Sequence, residues 1–348
     1  MKNLYFLLFA VLSCFSATGQ TDTDDLKISD RLQPLVEENV FQTEGYYNWC
    51  SSIIRGDDGK YHLFYSRWKK EYKFTGWLTH SEVAHASSDS PYGPWKYNET
   101  VLKGRRDGKW DAITAHNPKI KYFEGQYYLY YVSTNLGGKE FTEEELIETA
   151  HTGYSHPNWK ILRPNQRTGV AVSNSLHGPW KRMDQPLIEP SGPITTLTVN
   201  PAIDRGKDGN YYLIIKGDKP NETRFIRNQA VAISESAKGP FVIQSKPVID
   251  YLDTEDVSLC YDNKRDRFYG VFHAHTFIGM ISSPDGINWN KAADYVVMQK
   301  TVPFKNGKII QPDRLERPFV YCENNEPKVI SLAIKKGDDS YIVFIPIK

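Results

Sequence analysis

The chain repeats itself. Five segments each join a short β-type run, a turn of Gly, Asp or Asn, and a second run rich in Tyr, Phe, Ile and Leu: CSSIIRGDDGKYHLFYS from position 50, NPKIKYFEGQYYLYYVS from 117, NPAIDRGKDGNYYLIIK from 200, EDVSLCYDNKRDRFYGVF from 255 and ERPFVYCENNEPKVISLA from 316. Apolar runs flanking such turns specify β-hairpins. After four of them a second phrase returns, AHASSDSPYGPW at 84, VAVSNSLHGPW at 170, VAISESAKGPF at 231 and GMISSPDGINW at 279, which reads as a third strand, a turn and a fourth strand opening at the aromatic. The unit is therefore a four-stranded blade. Repeats of this size that cannot bury their faces alone do so by stacking on neighbours, and five of them predict an all-β fold, a five-bladed β-propeller. A sandwich would not explain five matched hairpins, and a doubly wound fold needs helical crossovers that the sequence lacks.

The fifth unit runs out of chain at Lys348, so its outer strand is expected from the segment around Leu35 to Phe41, which would pair the two ends of the chain. The propeller then spans 45–348, preceded by an N-terminal segment, 20–44, that closes the ring. The first 19 residues read as a secretory signal, with Lys2, an apolar stretch from Leu4 to Leu12 and a small-residue cleavage site at Ala17-Thr18-Gly19. The product is expected to be periplasmic or secreted. Val11-Leu12-Ser13-Cys14 also resembles a lipoprotein cleavage box, the weaker reading because Leu12 fits it poorly. Beyond this leader no apolar stretch is long enough to span a membrane. The other three cysteines, Cys50, Cys260 and Cys322, form neither a disulfide framework nor a metal-ligand spacing.

Hydrophobic residues make up 40% of the chain and 43 basic residues face 42 acidic ones, so there is core material in plenty and no charged surface for nucleic acid. The acidic run FTEEELIET, 141–149, reads as a solvated short helix. It belongs to the longest insertion, 137–166, which is expected to fold over or beside one mouth of the channel, since long insertions in compact domains are commonly binding loops.

In a propeller the innermost strand of each blade lines the axial channel and its first residues converge at one mouth. Position-matched there are Cys50, Asn117, Asn200, Asp256 and Arg317, preceded by Trp49, His116, Val199, Glu255 and Glu316. Polar residues dominate where a packing column would be apolar, so this is the candidate site. On a regular strand successive side chains alternate faces, which places Asp256 inward and Glu255 at the rim or on an Arg.

These hairpins, together with SEVAHASSDSPYGPW, the W-D…T-x-HNP stretch, NQRTGVAV, EDVS and ERP in that order, resemble the five-bladed propeller glycosidases of families 43, 32, 62, 68 and 117 over residues 45 to 345. The resemblance implies an exported glycoside hydrolase, exo-acting and inverting, on plant or algal oligosaccharides, with three carboxylates around the mouth and no required cofactor. The family 43 triad does not carry over, because Cys50 and Asn200 stand where that family has Asp. The pattern is closer to family 117, where a fourth-blade Asp and a fifth-blade Glu line the site; Asp256 and Glu316 match them. Glu82 and Asp111 are the candidates for the remaining acid, and His116 for a proton donor or hydroxyl ligand.

Hydrolysis of a glycosidic bond needs one group protonated near neutral pH and one ionised carboxylate, and crowding carboxylates in one pocket separates their pKa values. Sugar binding is expected from Trp49, Trp77, Trp110 and Trp159 on ring faces, from Arg67, Arg167 and Arg317 on hydroxyls or a uronate, and from Asn117, Asn200 and Glu255. Two other readings stay open: a non-catalytic carbohydrate-binding propeller, and a metal-dependent lactonase-type propeller with Ca²⁺ held by channel carboxylates and Asn oxygens.

Overall fold

The computed structural model describes residues 25–106 and 108–348; the signal sequence and Cys14 lie outside them. A short strand β1 (Val40–Phe41) comes first. Blade one is β2 (Tyr46–Arg55), β3 (Tyr61–Lys69), β4 (Glu82–Ser88) and β5 (Lys96–Leu102); blade two is β6 (His116–Phe123), β7 (Gln126–Thr134), β8 (Gln166–Ser173) and β9 (Lys181–Arg182). Blade three is β10 (Thr195–Arg205), β11 (Tyr211–Asp218), β12 (Arg227–Ser234) and β13 (Val242–Pro247); blade four is β14 (Glu255–Asp262), β15 (Arg267–His273), β16 (Phe277–Ser283) and β17 (Asn290–Gln299). A two-stranded ribbon, β18 (Val302–Pro303) with β19 (Ile309–Ile310), leads to the inner strands of blade five, β20 (Arg314–Glu323), β21 (Glu326–Lys336) and β22 (Asp339–Pro346). Every blade is a four-stranded antiparallel sheet in sequence order, except that β1 supplies the outermost strand of blade five, pairing Val40 with Val343 and Phe41 with Ile342. The segment before the first hairpin thus closes the ring, removing the open edge that an unpaired β22 would present.

The repeated aromatic phrase has a packing reason. Along β7, Tyr127, Leu129 and Tyr131 enter the apolar seam with blade one, while the alternate Tyr128 and Tyr130 enter the seam with blade three. Along β11, Tyr211, Leu213 and Ile215 face blade two, and Tyr212 and Ile214 face blade four. A middle strand is covered on both faces, so its run is apolar throughout instead of alternating with polar residues. Five such seams, one between each neighbouring pair of blades, carry the core.

The inner strands share a second feature. In all five the pairing register slips just after the residues Trp49, His116, Val199, Glu255 and Glu316. The next residue in each case has a positive φ: Cys50 at 48°, Asn117 at 48°, Asn200 at 57°, Asp256 at 67° and Arg317 at 60°. Each blade therefore carries a bulge at the same level, and a bulge breaks the alternation of faces. The strict alternation expected of Glu255 and Asp256 is corrected by this geometry, since both reach the channel, while the placement of Asp256 inward and Glu255 nearer the rim on an Arg is borne out.

The acidic run forms the expected helix, α1 (Glu143–Thr152), whose N-terminus is closed by a reciprocal pair: Thr142 Oγ1 accepts from Glu145 N–H, and Glu145 accepts from Thr142 N–H. With α2 (Trp159–Leu162) it makes most of the insertion. Leu146, Trp159 and Leu162 pack on Leu78, Ala112 and Ile113, so the insertion is a fixed wall with its own small core.

Candidate active site

The bulges stack two rings at one mouth of the channel. Trp49, His116, Val199, Glu255 and Glu316 form the upper ring, and all five line a cavity of about 380 Å³. Cys50, Asn117, Asn200, Asp256 and Arg317 form the lower ring and enclose a much smaller space beneath it. The five position-matched pairs thus meet around one axis.

The lower ring is a hydrogen-bonded belt. Asn117 Nδ2 donates to Asn200 Oδ1 at 2.7 Å, Asn200 Nδ2 donates to Asp256 Oδ1 at 2.7 Å, and the Arg317 guanidinium donates to the same carboxylate oxygen. Burial pushes the Asp256 carboxyl up to about 7, although Arg317 pulls it down. Its second oxygen, Oδ2, has no hydrogen-bond partner, nor has Asn117 Oδ1. Cys50 is buried in the same belt, and burial raises its thiol above the usual range.

The upper ring presents two carboxylates. Glu255 is held between Lys216 Nζ at 3.3 Å and Arg227 Nε at 3.0 Å. Those cations, with Arg317, keep it ionised well below the usual carboxylate range against the penalty of burial. Glu316 pairs with Arg314 at 3.7 Å, and Arg314 in turn reaches Tyr154 OH. His116 Nδ1 is 2.6 Å from Ser81 Oγ, and its ring stacks on Trp77. Burial drives its imidazole well below the ordinary value, so it is neutral at physiological pH. A neutral imidazole can exchange hydrogen bonds with a sugar hydroxyl, but it does not arrive carrying the proton an acid must give.

Aromatic rings build the walls. Trp49 and Phe74 meet edge to face at 5.2 Å, and Trp77 meets Trp159 in the same way at 5.5 Å. Tyr154, Trp159, Arg163 and Gln166 come from the insertion, which stands beside the mouth as expected. Phe225 adds a further ring to the wall, with the Arg163, Arg227 and Lys216 cations over it at 4.2, 5.0 and 5.5 Å.

Five residues expected at this mouth stand elsewhere. Asp111 is buried as an anchor, bound by Arg105 Nε at 2.6 Å, Tyr131 OH at 2.7 Å and Arg182 at 3.1 Å. Glu82 and Arg67 pair with each other at 2.8 Å and share a separate depression with Tyr46 and Tyr97. Arg167 binds Glu189 at 2.7 Å and the carbonyls of Pro164, Gln166 and Thr196. Trp110 is also remote, donating to the Met183 carbonyl and stacking on Tyr131. Sequence reasoning missed Lys216, Arg227, Arg314 and Phe225. The one available signal was Lys216, a lone charge ending the apolar run YYLIIK.

A Ca²⁺ ion in the channel is poorly served by these side chains. Glu255, Asp256 and His273 come within 4.8 Å of one another. However, cationic side chains already occupy both carboxylates, and an imidazole is a weak partner for a cation that takes six to eight oxygens.

No family model matches the sequence, and no curated protein matches it either. Solved structures do. Zg3597, a family 117 glycoside hydrolase produced by the marine bacterium Zobellia galactanivorans, superposes with a TM-score of 0.62 at 16% identity, over 90% of this chain and 88% of that one. A family 43 enzyme from Xanthomonas citri, complexed with xylotriose, gives 0.58 at 14% identity over 90% and 89%. CoXyl43, a family 43 β-xylosidase/α-arabinofuranosidase from a compost metagenome, seen with xylotriose in a calcium-free form, gives 0.57 at 14% identity over 93% and 96%. At such identities the likeness concerns the backbone, and the chain shares, along nearly its whole length, the five-bladed propeller fold on which glycoside hydrolases of families 117 and 43 are built.

Proposed function

We propose that the protein is an exported glycoside hydrolase that takes the end of a plant or algal oligosaccharide into the axial cavity. The observation that carries this reading is the upper ring, where Glu255 and Glu316 stand on adjacent blades at the floor of one aromatic-walled cavity of about 380 Å³. That volume lies at the small end of ligand pockets, which run from about 300 to 1,000 Å³, and suits a chain terminus better than a through-running polymer. Glu255, fixed between Lys216 and Arg227, serves as the ionised carboxylate that activates water or stabilises the developing positive charge. Glu316, facing the same cavity from the adjacent blade, is placed to pass a proton to the leaving oxygen. Asp256 acts from below by holding Arg317 in place, and His116 and Trp77 offer a polar edge and a ring face to the sugar. Inversion at the anomeric centre is part of the proposal, as is export, which rests on the first 19 residues of the sequence.

One observation favours a second reading. Cys50 and Asn200 occupy ring positions where a carboxylate would complete a triad, and Arg317 neutralises the one Asp in that ring. A propeller so equipped would bind sugar without cleaving it. Incubating the purified protein with aryl glycosides and a panel of plant and algal oligosaccharides, alongside Glu316→Gln, separates the two. Hydrolysis by the parent that falls by about 10² or more in the variant is expected of the enzyme; saturable binding with no product from any substrate would replace it with the binding protein. The anomer released first, followed by NMR, reports inversion or retention.

A further inference from the structure

Away from the channel, on the seam between blades one and two, five titratable side chains form a line. Asp58 Oδ1 lies 3.1 Å from His62 Nε2, His62 Nδ1 lies 2.8 Å from His85 Nε2, His85 Nδ1 lies 3.6 Å from Glu99 Oε1, and Glu99 Oε1 lies 3.0 Å from His177 Nδ1. His62 and His85 stack with their rings 14° apart, and His85 also stacks on Phe64. His85 is fully buried, and its Nδ1 has no hydrogen-bond partner.

Counting protons along the line exposes a deficit. Two neutral imidazoles carry two ring protons, but the three contacts from Asp58 to Glu99 need three. If His62 donates to Asp58 and His85 Nε2 donates to His62, then His85 Nδ1 turns a bare lone pair toward a carboxylate. If His85 is protonated on Nδ1 instead, the bare nitrogen moves to His62 and faces Asp58 at the shorter distance. A second proton on either ring would bury a charge in the stack. The buried Nδ1 of His85 is thus left without a hydrogen-bond partner while facing Glu99 at 3.6 Å.

We propose that His85, Glu99 and His177 bind a Zn²⁺ ion. Their ligand atoms all lie within 4.8 Å of one another. The two separations of 3.0 and 3.6 Å bracket the value of about 3.3 Å that tetrahedral bonds of about 2.0 Å require. Two imidazole nitrogens and a carboxylate oxygen suit zinc and not calcium. With the metal on Nδ1, His85 donates its other N–H to His62 and His62 donates to Asp58, so every contact in the line has its proton. Such outer partners are what orient ligating histidines. Glu99 and His177 face solvent, which leaves the fourth position to water. His85 and Glu99 belong to β4 and β5, and His177 to the turn between β8 and β9, so the ion would staple blade one to blade two.

The test uses the full chain, dialysed against chelator and titrated calorimetrically with ZnCl₂, with CaCl₂ as the control. The site predicts saturable uptake that calcium does not mimic and a melting temperature raised by zinc. Glu99→Gln and His177→Ala alter exposed side chains and should fold. Each should weaken zinc binding by at least about 100-fold, since even outer partners are worth about 10- to 100-fold, and each should abolish the thermal shift while leaving glycoside hydrolysis unchanged. Zinc binding that persists undiminished in both variants would place the ion elsewhere, for instance at Glu255, Asp256 and His273, and overturn the proposal. Absence of saturable binding to the parent would reduce the line to a hydrogen-bond chain and overturn it equally.

Discussion

Replacing Glu255 with Gln isolates the charge at the centre of the site. The side chain keeps its size, but Lys216 loses its partner, whereas Arg227 retains Asp253 at 2.9 Å. Lys216 is therefore the orphan. At 3.3 Å, and with an effective dielectric constant of about 20, the lost attraction is about 5 kcal/mol; breaking a buried pair by removing one member costs about 3–5 kcal/mol in practice. The expected destabilisation of Glu255→Gln near neutral pH is thus about 3–5 kcal/mol. Its pH dependence has a definite sign. Burial already lowers the Lys216 pKa, and Glu255 is the largest influence raising it, so the variant's lysine falls further. Between its folded pKa and the unfolded value of about 10.4 the unfolded chain then binds more protons, and stability rises with pH. Urea unfolding of both proteins at about pH 7 and about pH 9.5 should show the deficit shrinking at the higher pH. Adding Lys216→Met should recover much of the loss, because the buried charge goes with its partner. Turnover should fall by about 10² or more in either background. A single variant as stable as the parent, or a deficit that does not change with pH, would refute the buried pair as the element that fixes the ionised carboxylate.

Asp256 gives the opposite slope. With its folded pKa raised to about 7 and an unfolded value of about 3.9, it makes the parent lose up to about 4 kcal/mol as pH rises through that window; in Asp256→Asn this part of the pH–stability curve should be flat, and an unchanged curve would show that the carboxyl titrates normally. Trp159→Ala removes a ring that both lines the cavity and fills the small core under the insertion. It should cost about 3–5 kcal/mol and raise KM, and a higher KM without any loss of stability would mean the insertion is a free lid after all. Phe41 packs edge to face on Tyr65 at 5.0 Å across the ring closure, so Phe41→Ala should destabilise by about 3–5 kcal/mol in denaturant titration. Stability close to the parent's would indicate that β1 contributes little to holding the ends together.

The architecture was legible in the chain itself, because hairpins and the two-sided burial of middle strands are local properties. Tyr127 to Tyr131 had to be apolar or aromatic on both faces, the turns had to carry Gly, Asn or Asp, and five copies leave a ring as the way to cover all those faces. The same phrasing located the channel mouth and put Glu316, Asp256, Asn117 and Asn200 on it. What it did not contain was the depth at which each side chain sits. That was decided by five bulges whose positive φ falls on Cys50 and Arg317 as readily as on the tolerant Asn117, Asn200 and Asp256, so no residue type announces them. Nor did it contain the pairing of Glu255 with Lys216 and Arg227, or the retreat of Asp111, Glu82 and Arg167 into ion pairs of their own. An ion pair depends on which side chains the fold brings within a few ångströms, and for Glu255 with Lys216 and Arg227, or Asp111 with Arg182, the partners are separated along the chain by other strands and share no local pattern that would join them.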